Sequence, residues 1–93
     1  MMTVTLDGRD MTSIEETHKV LKRALSLSEH YGENLDALWD ELSTKSRPIS
    51  IKITHTDDMD LFLGAYSEKL KELFREIGMY NKGVNVEFKD DDQ

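Results

Sequence analysis

The segment Ile49-Ser50-Ile51-Lys52-Ile53-Thr54 alternates isoleucine with polar residues, which is the period of a β-strand with one buried face. Two further segments alternate in the same way, Met2-Val4-Leu6 and Val84-Val86-Phe88. We therefore predict strands near residues 2–7, 48–54 and 84–89. Because all three alternate, one face of the sheet should be buried, which favours a two-layer α/β fold with helices mainly on one side.

Helical patterns separate these strands. Ser13-Ile14-Glu15-Glu16 has the spelling of a capping box, so a first helix should begin there. A shorter helix is predicted from an Asn34 N-cap to about Ser43. A third pattern begins near Thr56 and is interrupted at Gly64, which is compatible with two helices or with one kinked helix. The order β-α-α-β-α-β favours parallel strands with right-handed crossovers, and we expect the first strand at the centre of the sheet.

The composition is that of a small acidic protein. Nineteen acidic and 12 basic side chains give the 93-residue chain a formal net charge of −7. Such a surface repels phosphate backbones and anionic membranes, so we expect neither as a partner, and it attracts basic proteins. The chain has no cysteine, which excludes disulfides and thiolate chemistry.

The chain length predicts one domain over residues 1–93, and the acidic residues 90–93 are expected to form a disordered tail. No apolar run approaches the roughly 20 residues of a membrane span, and the N-terminus has no secretion-signal pattern. A cytoplasmic protein is therefore expected.

The most specific segment is His30-Tyr31-Gly32-Glu33-Asn34-Leu35-Asp36-Ala37-Leu38-Trp39-Asp40. An apolar stripe of the predicted helix should face the core, and it contains Leu35, Leu38, Trp39 and Leu42. Asp36 and Asp40 lie one turn apart, away from this stripe. Like charges at this spacing suit a site for a cation or a basic partner. Periodicity alone nevertheless favours the plainer interpretation, an ordinary solvated acidic face.

The ten residues Tyr31–Asp40 resemble the signature segment of the barstar family, the intracellular inhibitors of secreted, guanyl-preferring ribonucleases such as barnase. The opening strand with its glycine turn, the helix from Ile14 to Leu25 and the triplet Phe74-Arg75-Glu76 also fit the family's order and spacing. The resemblance therefore covers nearly the whole chain. It implies a barstar-like fold, in which a three-stranded parallel sheet is packed with three to four helices.

The same resemblance implies an inhibitory surface on the second helix and the loop before it. Asp36 and Asp40 would face the cationic phosphate pocket of the nuclease, with Asp40 roughly where an RNA phosphate would sit. The other implied partner-binding residues shape the loop and flank or add a peripheral charge; they are His30, Tyr31, Gly32, Asn34, Trp39 and Glu76. Two departures are visible: the best-known member has tyrosine at the position of His30, and it has a tryptophan shortly after the position of Leu42.

The partner implied in this way is a basic ribonuclease of the extracellular type, bound in a 1:1 complex by a chain that is monomeric when free. The setting would be a bacterial, toxin–antitoxin-like immunity. A second hypothesis is a barstar-fold interaction module that binds a different basic protein, since fold alone does not determine function. The third is a metal-dependent hydrolase using Asp36 and Asp40; it is the weakest because no companion base or third ligand is visible.

Catalytic residues, cofactors and metal ligands are not expected elsewhere in the chain. The three histidines, His18, His30 and His55, lack the spacing of metal ligands. The run Asp57-Asp58-Met59-Asp60 lacks the glycine and the glutamate of a calcium loop, and helix capping explains it better. His18 lies on an apolar helical stripe and is predicted to be a hydrogen-bonded histidine of the core.

Overall fold

The computed structural model describes residues 2–89 and shows an α/β domain. Its strands are β1 (Met2–Asp7), β2 (Ile49–Thr54) and β3 (Val84–Lys89), and its helices are α1 (Ile14–Ala24), α2 (Leu35–Ser43), α3 (Thr56–Leu63) and α4 (Ala65–Tyr80). A short 3-10 turn, Gly8–Asp10, follows β1. The predicted acidic tail lies outside the described residues.

The three strands are parallel and lie in the order β1-β2-β3, so our placement of the first strand at the centre is wrong. Each crossover carries the chain to the adjacent position in the sheet. Alternation is the same in edge and central strands and therefore does not reveal the order. The isoleucines of β2 are 0–1% exposed, which is the burial expected for a strand with neighbours on both sides.

One face of the sheet is buried, as the alternation predicts. Register aligns Val4 with Ile51 and Leu6 with Ile53, and these four side chains belong to one hydrophobic core with residues of all four helices. The residues between them, such as Thr5 and Lys52, face the other side and are half-buried or exposed. The two-layer α/β fold is confirmed.

Local signals at the helix starts act as the sequence indicates. The Ser13 hydroxyl oxygen accepts a hydrogen bond from the Glu16 amide at 3.0 Å. Gly64 takes a φ of 57°, a left-handed conformation that favours glycine, and separates α3 from α4. The interrupted pattern therefore forms two helices. Across this break, Lys71 Nζ lies 2.9 Å from a carboxylate oxygen of Asp60 and ties α4 to α3.

Candidate functional site

Helix α2 has one face in the core and another in solvent. Leu38 and Leu42 are completely buried, whereas Asp36 and Asp40 are exposed. The predicted rotation of the helix is therefore confirmed. Among residues 2–89, neither carboxylate takes part in an ion pair. Both negative charges are available to an external cation.

Tyr31 anchors the loop before α2 to the core. Its side chain is 6% exposed, and its hydroxyl oxygen lies 2.5 Å from Nδ1 of His18. His18 Nε2 lies 2.6 Å from the hydroxyl of Tyr66 in α4. In either tautomer, one nitrogen of the His18 ring donates and the other accepts, so both contacts can be satisfied together. The prediction of a hydrogen-bonded core histidine is confirmed.

Burial changes the pKa values of Tyr31, His18 and Tyr66. It raises the pKa of the Tyr31 hydroxyl and that of Tyr66. It lowers the pKa of His18, an effect that the negative charge of Glu33 partly opposes. All three side chains are therefore favoured in their neutral forms, in which they can form the chain Tyr31–His18–Tyr66.

The loop turns into α2 through Gly32, Glu33 and Asn34. Glu33 has a φ of 56°, and the Asn34 Oδ1 accepts a hydrogen bond from the Ala37 amide at 2.8 Å, which caps the helix. The Asn34 Nδ2 also donates to the Gly32 carbonyl at 3.3 Å. A Cβ atom on Gly32 would lie 3.3 Å from the Ala37 Cβ, so the loop packs closely on the first turn of α2. His30, Gly32 and Asn34 are exposed at this end of the helix.

A groove of about 490 Å³ separates α2 from α4. Its apolar lining comes from Leu35, Trp39 and Leu73, and its charged lining from Asp36, Glu68, Lys69, Glu72 and Glu76. The groove therefore has an apolar lining flanked by four carboxylates and one ammonium group, so its charge is predominantly negative. The structure brings together the predicted Asp36, Trp39 and Glu76, whereas Asp40 lies one turn further along α2.

The sequence did not predict two carboxylates of this groove, Glu68 and Glu72. Glu68, Glu72 and Glu76 recur every four residues and so lie along one side of α4. That spacing was a visible signal. The side of α4 that faces α2 was not visible, because it depends on how the two helices pack.

Asn81, directly after α4, fixes the far end of α2. Its Nδ2 lies 2.9 Å from the Leu42 carbonyl oxygen, 3.4 Å from that of Ser43 and 3.1 Å from that of Lys45. Its Oδ1 accepts a hydrogen bond from the Gly83 amide at 3.0 Å. These contacts satisfy carbonyl groups at the C-terminal end of α2 and join the two helices that line the groove.

Comparison with known proteins identifies this arrangement. A family model described as "Barstar (barnase inhibitor)" matches residues 1–90. The chain belongs to the barstar family. The segment that resembles the family signature, residues 31–40, forms the loop and the first turns of α2, and the three-stranded parallel sheet with four helices is the barstar-like fold that the resemblance implies.

One curated relative is "Putative ribonuclease inhibitor YrdF" of Bacillus subtilis (strain 168). It is 36% identical to this chain over 77 residues, which cover 82% of this chain and 85% of the relative. The similarity therefore extends over most of both proteins, beyond the signature segment.

The remaining predicted features have ordinary structural surroundings. Within residues 2–89, no three His, Asp or Glu side chains gather in a way that suits a metal ion. Asp60, from the acidic run that we compared with a calcium loop, accepts hydrogen bonds from Ser67 and Lys71. Burial opposes their effect, but together these bonds lower the pKa of Asp60. In the same part of the chain, no helix is long and apolar enough to cross a membrane.

Proposed function

We propose that this chain is a protein inhibitor of a secreted, barnase-like ribonuclease and covers the nuclease's cationic active site with α2 and the loop before it. One observation carries the proposal. In a chain of the barstar family, Asp36 and Asp40 stand exposed on a helix whose opposite face is buried, and neither forms an ion pair within residues 2–89.

The chemistry of the target supports this role. A ribonuclease holds RNA phosphates with clustered Arg, Lys and His side chains, and these charges are partly desolvated in its cleft. Carboxylates on a rigid helix can match them with charge-assisted hydrogen bonds, which are often bidentate to arginine. In the proposed complex, Asp40 takes the place of an RNA phosphate. Asp36 faces the same cationic pocket, and Glu76 adds a peripheral charge on the other side of the groove.

Preorganisation adds to the affinity. Leu38 and Leu42 hold α2 against the core, Asn34 caps its start, and Asn81 bonds its end. Because these contacts exist before binding, little conformational entropy remains to be lost on association. Gly32 and the buried Tyr31 shape the loop, with His30 at the rim and Trp39 at the flank.

The net charge of −7 also suits such a partner. Attraction between an acidic inhibitor and a basic nuclease raises the encounter rate at low ionic strength. We infer a 1:1 complex formed by a monomeric, single-domain chain that acts in the cytoplasm as a bacterial immunity protein.

An RNA-cleavage assay tests the proposal. The chain is titrated against barnase and two other guanyl-preferring ribonucleases, and we expect inhibition that is complete at one equivalent for at least one of them. Asp36→Ala and Asp40→Ala should weaken it. Glu87→Ala is the matched control, because Glu87 is also exposed but lies on the outer face of the sheet.

Two other results would favour the alternatives. If none of the three nucleases is inhibited, the chain is better explained as a barstar-fold module for a different basic protein. RNA cleavage by the chain itself, dependent on added magnesium or manganese and lost in Asp36→Ala, would favour the metal-dependent hydrolase.

A further inference from the structure

We propose that Tyr80 and Trp39 form an aromatic platform at the C-terminal end of α4, and that this platform receives an arginine or lysine side chain of the bound ribonuclease. The inference rests on the proposed function and extends the binding surface beyond the residues that the sequence indicated. Tyr80 lies outside the signature segment and is not one of the site residues that the sequence predicted.

The two rings form a contact pair. Their centroids lie 5.4 Å apart with the ring planes inclined at 50°. Trp39 is half-buried and packs against the core, whereas Tyr80 is 68% exposed. A large aromatic ring in solvent is held against a ring that the core supports, which is the arrangement of a preformed contact surface.

The position of the platform is fixed by its neighbours. Tyr80 is the last residue of α4, and the next residue, Asn81, bonds the carbonyl groups at the end of α2. Because Trp39 belongs to α2, these bonds also hold the two rings in register. The platform is therefore present before any partner binds.

The charge around the platform selects its occupant. Tyr80 follows Glu76 by four residues and so continues the row Glu68, Glu72 and Glu76 along α4. An arginine or lysine lying along the groove can place its aliphatic stem on Leu35 and Leu73 and its charged group near these carboxylates. At the C-terminal end of the row, the same charged group reaches the rings of Trp39 and Tyr80, whose faces attract a cation electrostatically. An anionic or purely apolar occupant would not gain both interactions.

The test measures dissociation rates of complexes with the ribonuclease that the chain inhibits most tightly among barnase and the two other guanyl-preferring enzymes. Tyr80→Ala should raise the dissociation rate about 2- to 30-fold, the range expected for loss of a cation–π contact. Tyr80→Phe keeps the aromatic face and should stay close to the parent. Tyr80→Leu keeps an apolar side chain without the π-system and should behave like Tyr80→Ala.

Met79→Ala is the matched control. Met79 is 69% exposed and adjacent in sequence, but it lies beside Phe74, Val84 and Phe88, on the side of α4 that faces β3. Met79→Ala should change the dissociation rate by less than about twofold, because surface substitutions usually have small effects. Thermal unfolding of all four variants checks that the fold is intact.

Three results would overturn the inference. If Tyr80→Leu binds as well as Tyr80→Phe, the contact is apolar and the cationic occupant is wrong. If Tyr80→Ala matches Met79→Ala while Asp40→Ala dissociates much faster than the parent, the platform is not used although the inhibitor function stands. If the parent chain inhibits none of the nucleases, the platform and the proposed function both fail.

Discussion

The Nδ1 atom of His18 lies 2.5 Å from the hydroxyl oxygen of Tyr31, and this contact joins the buried face of α1 to the loop that leads into α2. The other ring nitrogen contacts Tyr66, so three separate segments of the chain meet at one imidazole. A buried polar group is stabilising only when its partners are in place, and it becomes costly when one is lost. The loop of the candidate inhibitory surface therefore depends on a residue that is itself inaccessible to a partner.

This contact predicts how stability depends on pH. Burial lowers the pKa of His18 from its ordinary value of 6.5, against the opposing charge of Glu33. The unfolded chain therefore binds a proton on His18 at a higher pH than the folded chain does. The contribution of neutral His18 to stability is fully present above the unfolded pKa, and it is lost as pH falls from there through the lowered folded pKa, by at most about 1.4 kcal/mol per pH unit.

Urea unfolding at a series of pH values between about 5 and 8 checks this slope. His18→Gln should remove it, whatever the variant's absolute stability. Leu61→Ala, which removes no titratable group from a side chain that is 78% exposed, should retain the slope. An equal slope in the parent and in His18→Gln would assign the effect to another group.

Leu38 should be one of the main contributors to the stability of α2. It is completely buried in the core, so Leu38→Ala should cost about 2–5 kcal/mol, a large part of the stability of a small domain. Leu61→Ala makes the same chemical change at a side chain that is 78% exposed. Its urea midpoint should stay near that of the parent. Similar midpoints for the two variants would mean that α2 is rotated differently in solution.

The elements of the fold were predictable because their signals are local. Alternation placed the strands, Ser13 and Asn34 marked helix starts, and Gly64 marked the break between α3 and α4. Strand order was not predictable in this way, because it depends on where each crossover returns.

The candidate site was predictable only in part, because some of its contacts join residues that are far apart in the sequence. The outward face of α2, with Asp36 and Asp40, follows from helical periodicity. The pairing of His18 with Tyr66 joins residues 48 positions apart, and that of Trp39 with Tyr80 depends on the packing of α2 against α4. The sequence assigns Tyr31 to the loop. It does not predict that Tyr31 is buried, because that burial depends on the position of His18 in the folded chain.

Asn81 should be needed to hold the groove together. Asn81→Asp keeps the shape of the side chain but removes the donor, and it directs a carboxylate at the carbonyl groups of Leu42 and Lys45. These hydrogen bonds are part-buried, so their loss should cost about 0.5–1.5 kcal/mol, and the negative charge is additionally unfavourable at a helix C-terminus. Asn85→Asp, an exposed site on β3, should be nearly neutral. Thermal unfolding of both variants gives the comparison, and equal melting temperatures would show that Asn81 does not stabilise the end of α2.

In the proposed complex, Asp40 replaces an RNA phosphate in a desolvated cationic pocket, whereas Glu76 acts nearer the rim. Truncating one partner of such a buried charged pair typically costs about 2–5 kcal/mol or more, mainly through faster dissociation, a range that rests partly on the barnase–barstar complex itself. A rim charge instead changes the association rate and its salt dependence, because solvent screens it. Thermal stability should stay nearly unchanged in Asp40→Ala, since this side chain is exposed.

Stopped-flow association and dissociation rates with the inhibited ribonuclease, at low and high salt, test this claim most directly. The parent chain, Asp40→Ala and Glu76→Ala are compared under the same conditions. We expect Asp40→Ala to accelerate dissociation at both salt concentrations and Glu76→Ala to slow association chiefly at low salt. Small and equal effects of the two substitutions on dissociation would contradict the account, because Asp36 and Asp40 would then belong to no more than a solvated acidic face.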